Sequence, residues 1–240
     1  MRRQQGFTLV EIAIVLVIIG LLLGGILRGQ ELIQGARVRN IIDQQNGIRA
    51  AFFAFQDRYR SIPGDLAAAQ VQLVGNGALV ATAGPGNGAV AAADSSTAFQ
   101  NLTATGFLSC SVCTVSGAAS TASNSPTNVY GGVLQFVTDG AAAQGAAIVL
   151  AGGQTRLNIK TGNLVPSNVM GEIDLKADDG QPNAGNLRLS AWTAAGAAAP
   201  TIATCATGMA APPTISAWNN GQAAAPGGAI GTNCGGATLL

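Results

Sequence analysis

From Phe7 to Leu27 the chain carries a single charged residue, Glu11. As a helix that stretch is about 31 Å long at 1.5 Å per residue, enough to span the hydrocarbon core of a bilayer. Arg2 and Arg3 stand in front of it, which places the N-terminus on the cytoplasmic side. A secretory signal would close its apolar run with a small-residue cleavage site and a polar mature start. Here the run passes straight into a second helical pattern. Arg2-Arg3 also suggests a twin-arginine export signal, but nothing else in the chain supports it.

Glu11 is the anomaly, because a carboxylate inside a membrane segment is costly and marks a functional site by default. Two readings stand. In the first it lies near the interface, four residues beyond Phe7, and reaches water. In the second it meets a cation, and cleavage between Gly6 and Phe7 would create one, the α-amine of Phe7.

Gly6-Phe7-Thr8-Leu9-Val10-Glu11 and the following Ile12-Ala13-Ile14-Val15-Leu16-Val17-Ile18-Ile19-Gly20 resemble the processing motif and first helix of type IV pilins and type II secretion pseudopilins. The resemblance implies removal of residues 1–6 by prepilin peptidase and N-methylation of Phe7. It also implies that Glu11 meets the Phe7 amine of an adjacent subunit during assembly.

After Arg28 the helix continues as an amphipathic segment, with Leu32, Ile33, Ala36, Val38, Ile41, Ile42, Ile48, Ala51, Phe52 and Phe55 as its apolar stripe. Ser61-Ile62-Pro63-Gly64-Asp65 stops it. The expected division is therefore a leader at 1–6, a transmembrane and assembly half of the helix at 7–27, an amphipathic half at 28–60 and an extracytoplasmic head at 61–240. Glycines at 20, 24, 25, 29, 35 and 47 lower helix propensity by about 1 kcal/mol each against alanine. They serve either close packing between helices or a helix that bends when it leaves the bilayer.

The expected fold class is α+β, a small antiparallel sheet packed on the long helix, with long Ala/Gly-rich loops. The stretch Arg58-Tyr59-Arg60-Ser61-Ile62-Pro63-Gly64-Asp65 resembles the end of the first helix in pseudopilin-like proteins. Residues 67–93 read as loop. Asp94 offers an N-cap for a short helix carrying Phe99, Leu102 and Leu108. Short apolar runs at 133–137, 148–150 and 157–159 suit an antiparallel meander. Val169, Met170, Ile173 and Ala177 recur at helical spacing, up to Asp178-Asp179-Gly180. Leu187, Leu189 and Ala191 alternate as the last clear strand, and beyond Ala194 the chain reads as Ala/Gly/Pro-rich loop.

The chain has four cysteines and no histidine, which excludes Ser-His-Asp and Cys-His catalysis and removes the commonest transition-metal ligand. Outside the cytoplasm the cysteines default to disulfides. Cys205–Cys234 with Cys110–Cys113 is the favoured pairing, because the C-terminal loop has little apolar content to hold it otherwise. The C-terminal pair also resembles the disulfide-bound loop of type IV pilins. Redox catalysis at Cys110-x-x-Cys113 lacks a βαβ setting and a nearby cation. A four-cysteine zinc site lacks the knuckle spacing in its second pair.

The acidic run from Glu172 to Gly180 offers oxygen ligands suited to calcium, at Asp178 and Asp179. The resemblance points the same way, since some pseudopilins bind calcium in their heads. Against it stands a plain C-terminal cap with Gly180 in the left-handed position. Once Arg2 and Arg3 are removed, 10 basic side chains face 11 acidic ones, and no basic block marks a nucleic-acid surface.

The expected function is structural rather than enzymatic. The subunit waits in the inner membrane and is then extracted by an assembly platform into a helical filament, periplasmic or extracellular, with copies of itself and other pilins or pseudopilins. The alternative is a tethered adhesin or binding module that never polymerises. A tether alone gives no reason for Gly6, Phe7 and Glu11 together.

Overall fold

The computed structural model describes residues 9–71, 75–76, 79–80, 84, 86–140, 155–207, 217–220 and 230–240. It divides into two compact units, Met1–Arg39 and Asn40–Leu240. In chain order the elements are helix α1 (Leu9–Tyr59), α2 (Ala68–Val71), strands β1 (Gly75–Asn76) and β2 (Leu79–Val80), a 3-10 turn (Ala92–Asp94) and α3 (Ser95–Ala104). They continue with β3 (Gln135–Gly140), β4 (Thr155–Lys160), α4 (Ser167–Ala177), β5 (Leu187–Leu189), α5 (Ile202–Cys205), β6 (Ala206–Thr207), β7 (Ala217–Trp218) and β8 (Gly236–Leu239). The fold is α+β: a long N-terminal apolar helix followed by a small four-stranded antiparallel sheet.

In the first unit the helix is apolar from Leu9 to Leu27 and almost wholly exposed as far as Ile33, while Val38 of the expected stripe is buried. Leu32 and Ile33 belong to this exposed part, so the expected amphipathic stripe does not extend back to them. Ala36 is exposed as well.

In the second unit the stripe does form. Ile48, Ala51, Phe52 and Phe55, spaced three and four apart, point to one side of the helix and join Phe99, Leu102, Leu134, Phe136 and Ile159 in one core. Phe136 lies 5.6 Å from Phe52 and 6.3 Å from Phe99, ring centre to ring centre. Each such ring fully buried contributes roughly 1.5–3 kcal/mol. The helix ends at Tyr59, and Arg60 takes a left-handed φ of 52°. Asp65 then accepts from the amides of Asn87 (3.0 Å) and Gly88 (2.5 Å), fixing the turn to a loop more than twenty residues on.

The sheet order is β3-β4-β8-β5, antiparallel throughout. This is not a meander. The strand between β4 and β5 comes from the C-terminal stretch that reads as loop, which also forms α5, β6 and β7. Loop was likewise expected at 67–93, where α2, β1 and β2 are short elements. Asp94 occupies the N-cap of α3 but its side chain makes no capping bond, and Leu108 lies past the helix end. The expected strand at 148–150 lies outside the described residues.

Candidate functional site

The first turn of α1 contains Glu11, and its carboxylate sits on an exposed helix surface. Around it the apolar side chains from Leu9 to Leu27 are exposed almost without interruption, Leu9 at 92% and Leu21 at 73%. Among the described residues one helix is long and apolar enough to cross a membrane, with a mean hydropathy of 2.8 over its best 18-residue window. Side chains this apolar gain about 25 cal/mol per Å² on leaving water, so the surface calls for lipid or other helices. Gly6 and Phe7, the expected cleavage and methylation residues, lie outside the described residues.

The acidic turn is more closely built than its sequence suggests. Helix α4 delivers Asp174 from its buried face and ends at Asp178, which occupies the C-cap. Oδ2 of Asp178 accepts from the amides of Asn186 and Leu187, and Oδ1 of Asp179 accepts from Gln181 at 2.8 Å. Gly180 has a φ of 78°, the left-handed cap position. Gly185, at φ 62°, lies so close that a Cβ there would meet the Asp178 carboxylate. Asp174 is the residue that sequence reasoning missed. It is fully buried, its Oδ2 accepts from the Trp218 indole at 2.7 Å, and its Oδ1 has no hydrogen-bond partner. Burial pushes its carboxyl up to about 6, opposed by the Trp218 bond and the Gly180 amide and reinforced by Asp179 and Asp178.

Cys205 is bonded to Cys234 and Cys110 to Cys113, with Cα separations of 5.6 and 5.4 Å. The first pair joins the end of α5 to the residue that bridges Val165. In the second pair, Cys113 belongs to the buried core. With both pairs closed the chain has no free thiol.

Two further polar features lie inside the second unit. Lys160 is buried against Asp139, whose Oδ1 also accepts from Asn158 Nδ2 at 2.7 Å. A cleft of about 60 Å³ is lined by Gln45, Arg49, Ile173, Asp178, Leu187 and Thr238 among others. It is far smaller than the roughly 300–1,000 Å³ of small-ligand pockets. Both polar atoms of the Gln45 amide, which lines it, have no hydrogen-bond partner, and a space of this size suits water better than a larger ligand.

The geometry therefore defines a class: among the described residues, one helix long and apolar enough to cross a membrane, with Glu11 the single charged residue of its apolar stretch to Leu27, followed by an α+β head in a chain without histidine. Residues 1–27 match the family model of the prokaryotic N-terminal methylation motif, the motif of type IV pilin and pseudopilin precursors. No curated protein matches the chain, and no solved structure matches it.

Proposed function

We propose that the chain is the precursor of a structural subunit of a type IV pilus-like filament, in a pilus or a pseudopilin-based secretion system. Prepilin peptidase cuts after Gly6, Phe7 is methylated, and the helix holds the subunit in the inner membrane with its N-terminus cytoplasmic until an assembly platform extracts it. The observation that carries this reading is Glu11, the only charged residue in the apolar stretch from Phe7 to Leu27, located inside the methylation motif. In a core of bundled helices, Glu11 neutralises a neighbour's Phe7 amine, so neither charge is left uncompensated in apolar surroundings. Contacts of this head-to-tail kind repeat without closing and give a helical filament.

The test is Glu11→Val expressed in cells that carry the wild-type machinery. The variant is expected to be processed and inserted but absent from sheared or membrane-attached filaments. Assembly at the wild-type level overturns the reading.

A further inference from the structure

We propose that the cleft between α1, α4 and β5 binds a small zwitterionic amino acid of glycine size, its carboxylate on Arg49, its ammonium on Asp178 and the Gln45 amide between them. Gln45 and Arg49 come from α1, Asp178 from the C-cap of α4, and Asn186 and Leu187 from the entry to β5. All of them belong to the second compact unit.

Gln45 is 6% exposed, and neither its Nε2 nor its Oε1 has a hydrogen-bond partner. A buried amide in that state is costly, and it suits a ligand that both accepts and donates. Arg49 is half-buried, with its guanidinium 5.9 Å from the centre of the Phe53 ring. It belongs to none of the four ion pairs among the described residues, and neither does Asp178. Asp178 uses Oδ2 for the Asn186 and Leu187 amides, which leaves Oδ1 for a cation. Two opposite charges therefore line one cleft without closing on each other.

The two charges select the ligand. Water can satisfy the Gln45 amide but leaves Arg49 and Asp178 uncompensated. A plain carboxylate pairs with the guanidinium fork and is repelled by Asp178, and a plain amine meets the reverse. A zwitterion satisfies both, and its ammonium and carboxylate match the acceptor and the donor of Gln45. Size sets the rest. At about 10–15 Å³ per water-sized position, the cleft of about 60 Å³ holds roughly four to six such positions, which matches the non-hydrogen atoms of glycine. Ile42 and Ile173 wall the space and exclude a longer side chain. A ligand of so few atoms binds no tighter than roughly micromolar. The inference goes beyond the filament reading and does not depend on it.

The experiment titrates the full-length chain, isotope-labelled at glutamine and solubilised in detergent, with glycine. It follows the side-chain amide resonance of Gln45, assigned by its loss in Gln45→Leu. Wild type is expected to give a saturable shift of that resonance. Acetate and methylamine, each carrying one of the two charged groups, are expected to bind at least tenfold more weakly. Arg49→Gln, which breaks no ion pair among the described residues, is expected to fold and to weaken glycine at least tenfold. Arg58→Gln, an exposed change on the same helix, should bind as wild type. A Gln45 resonance that does not saturate with glycine means that the cleft holds water only and overturns the proposal. Acetate binding as tight as glycine overturns it too, as does undiminished glycine binding by Arg49→Gln.

Discussion

The indole N–H of Trp218 donates to Oδ2 of Asp174 across 2.7 Å, joining residues 44 positions apart in a buried contact. Trp218→Phe keeps an aromatic ring there but leaves the carboxylate without a second buried acceptor satisfied. The expected loss is about 1.5–3 kcal/mol, the range for a hydrogen bond to a charged group. Urea unfolding of the purified chain, read as a fall in midpoint at unchanged slope, checks it.

Lys160 is 2% exposed and its pair with Asp139 is buried with it. Removing one partner strands the other, so Lys160→Met is expected to cost ~3–5 kcal/mol. Adding Asp139→Leu should recover much of that loss, because Asn158 keeps its bond to the Arg156 carbonyl. A double-mutant cycle on unfolding free energies measures the recovery.

The same lysine gives a pH signature. Burial lowers its pKa from 10.5, opposed by the charge and hydrogen bond of Asp139. Between the folded value and 10.5 the unfolded chain therefore binds more protons, and stability rises with pH across that window. Lys160→Met is expected to abolish this rise, seen by comparing urea midpoints across the alkaline range.

The two disulfides should contribute unequally. Cys205–Cys234 spans 29 positions and Cys110–Cys113 only 3. The loop-entropy estimate gives ~3–4 kcal/mol for the first and ~2 kcal/mol for the second. Paired serine substitutions, Cys205→Ser with Cys234→Ser against Cys110→Ser with Cys113→Ser, should lower the melting temperature in that order.

In the single chain, a Cβ added at Gly20, Gly24, Gly25 or Gly29 meets nothing within 4 Å. Alanine at Gly24 and Gly25 should therefore raise helix stability by about 1 kcal/mol per site without harming the subunit. If the glycines serve contacts between subunits or bending on extraction, filament yield from sheared cells falls. Unchanged yield would assign them neither role.

What the sequence disclosed depended on how local the signal was. The long helix carries its own period, and Gly6-Phe7-Thr8-Leu9-Val10-Glu11 is a contiguous motif. Strands β3 and β4 were legible because Phe136, Val137, Leu157 and Ile159 form short apolar runs. Strand β8 was not, because Gly-Ala-Thr-Leu has weak propensity and owes its conformation to β4 and β5 on either side. Asp174 is inconspicuous in the sequence for a similar reason. In sequence it is one more polar residue on a short helix, and only Trp218, far along the chain, makes it buried and short of a partner. Leu108 reads as a helix position by spacing alone, but the chain turns at Gly106, where φ is 78°.

The position of β8 bears on the order in which the head can be completed. Lys160 and Ala237 are register partners, as are Arg188 and Ala237, so the middle of the sheet is occupied by residues synthesised after both of its neighbours. A head delivered across a membrane from its N-terminal end would have β3, β4 and β5 on the far side while the gap between β4 and β5 still stood open. Truncation just before Gly236 would split the sheet down its centre instead of trimming an edge, leaving two unpaired strand edges facing each other.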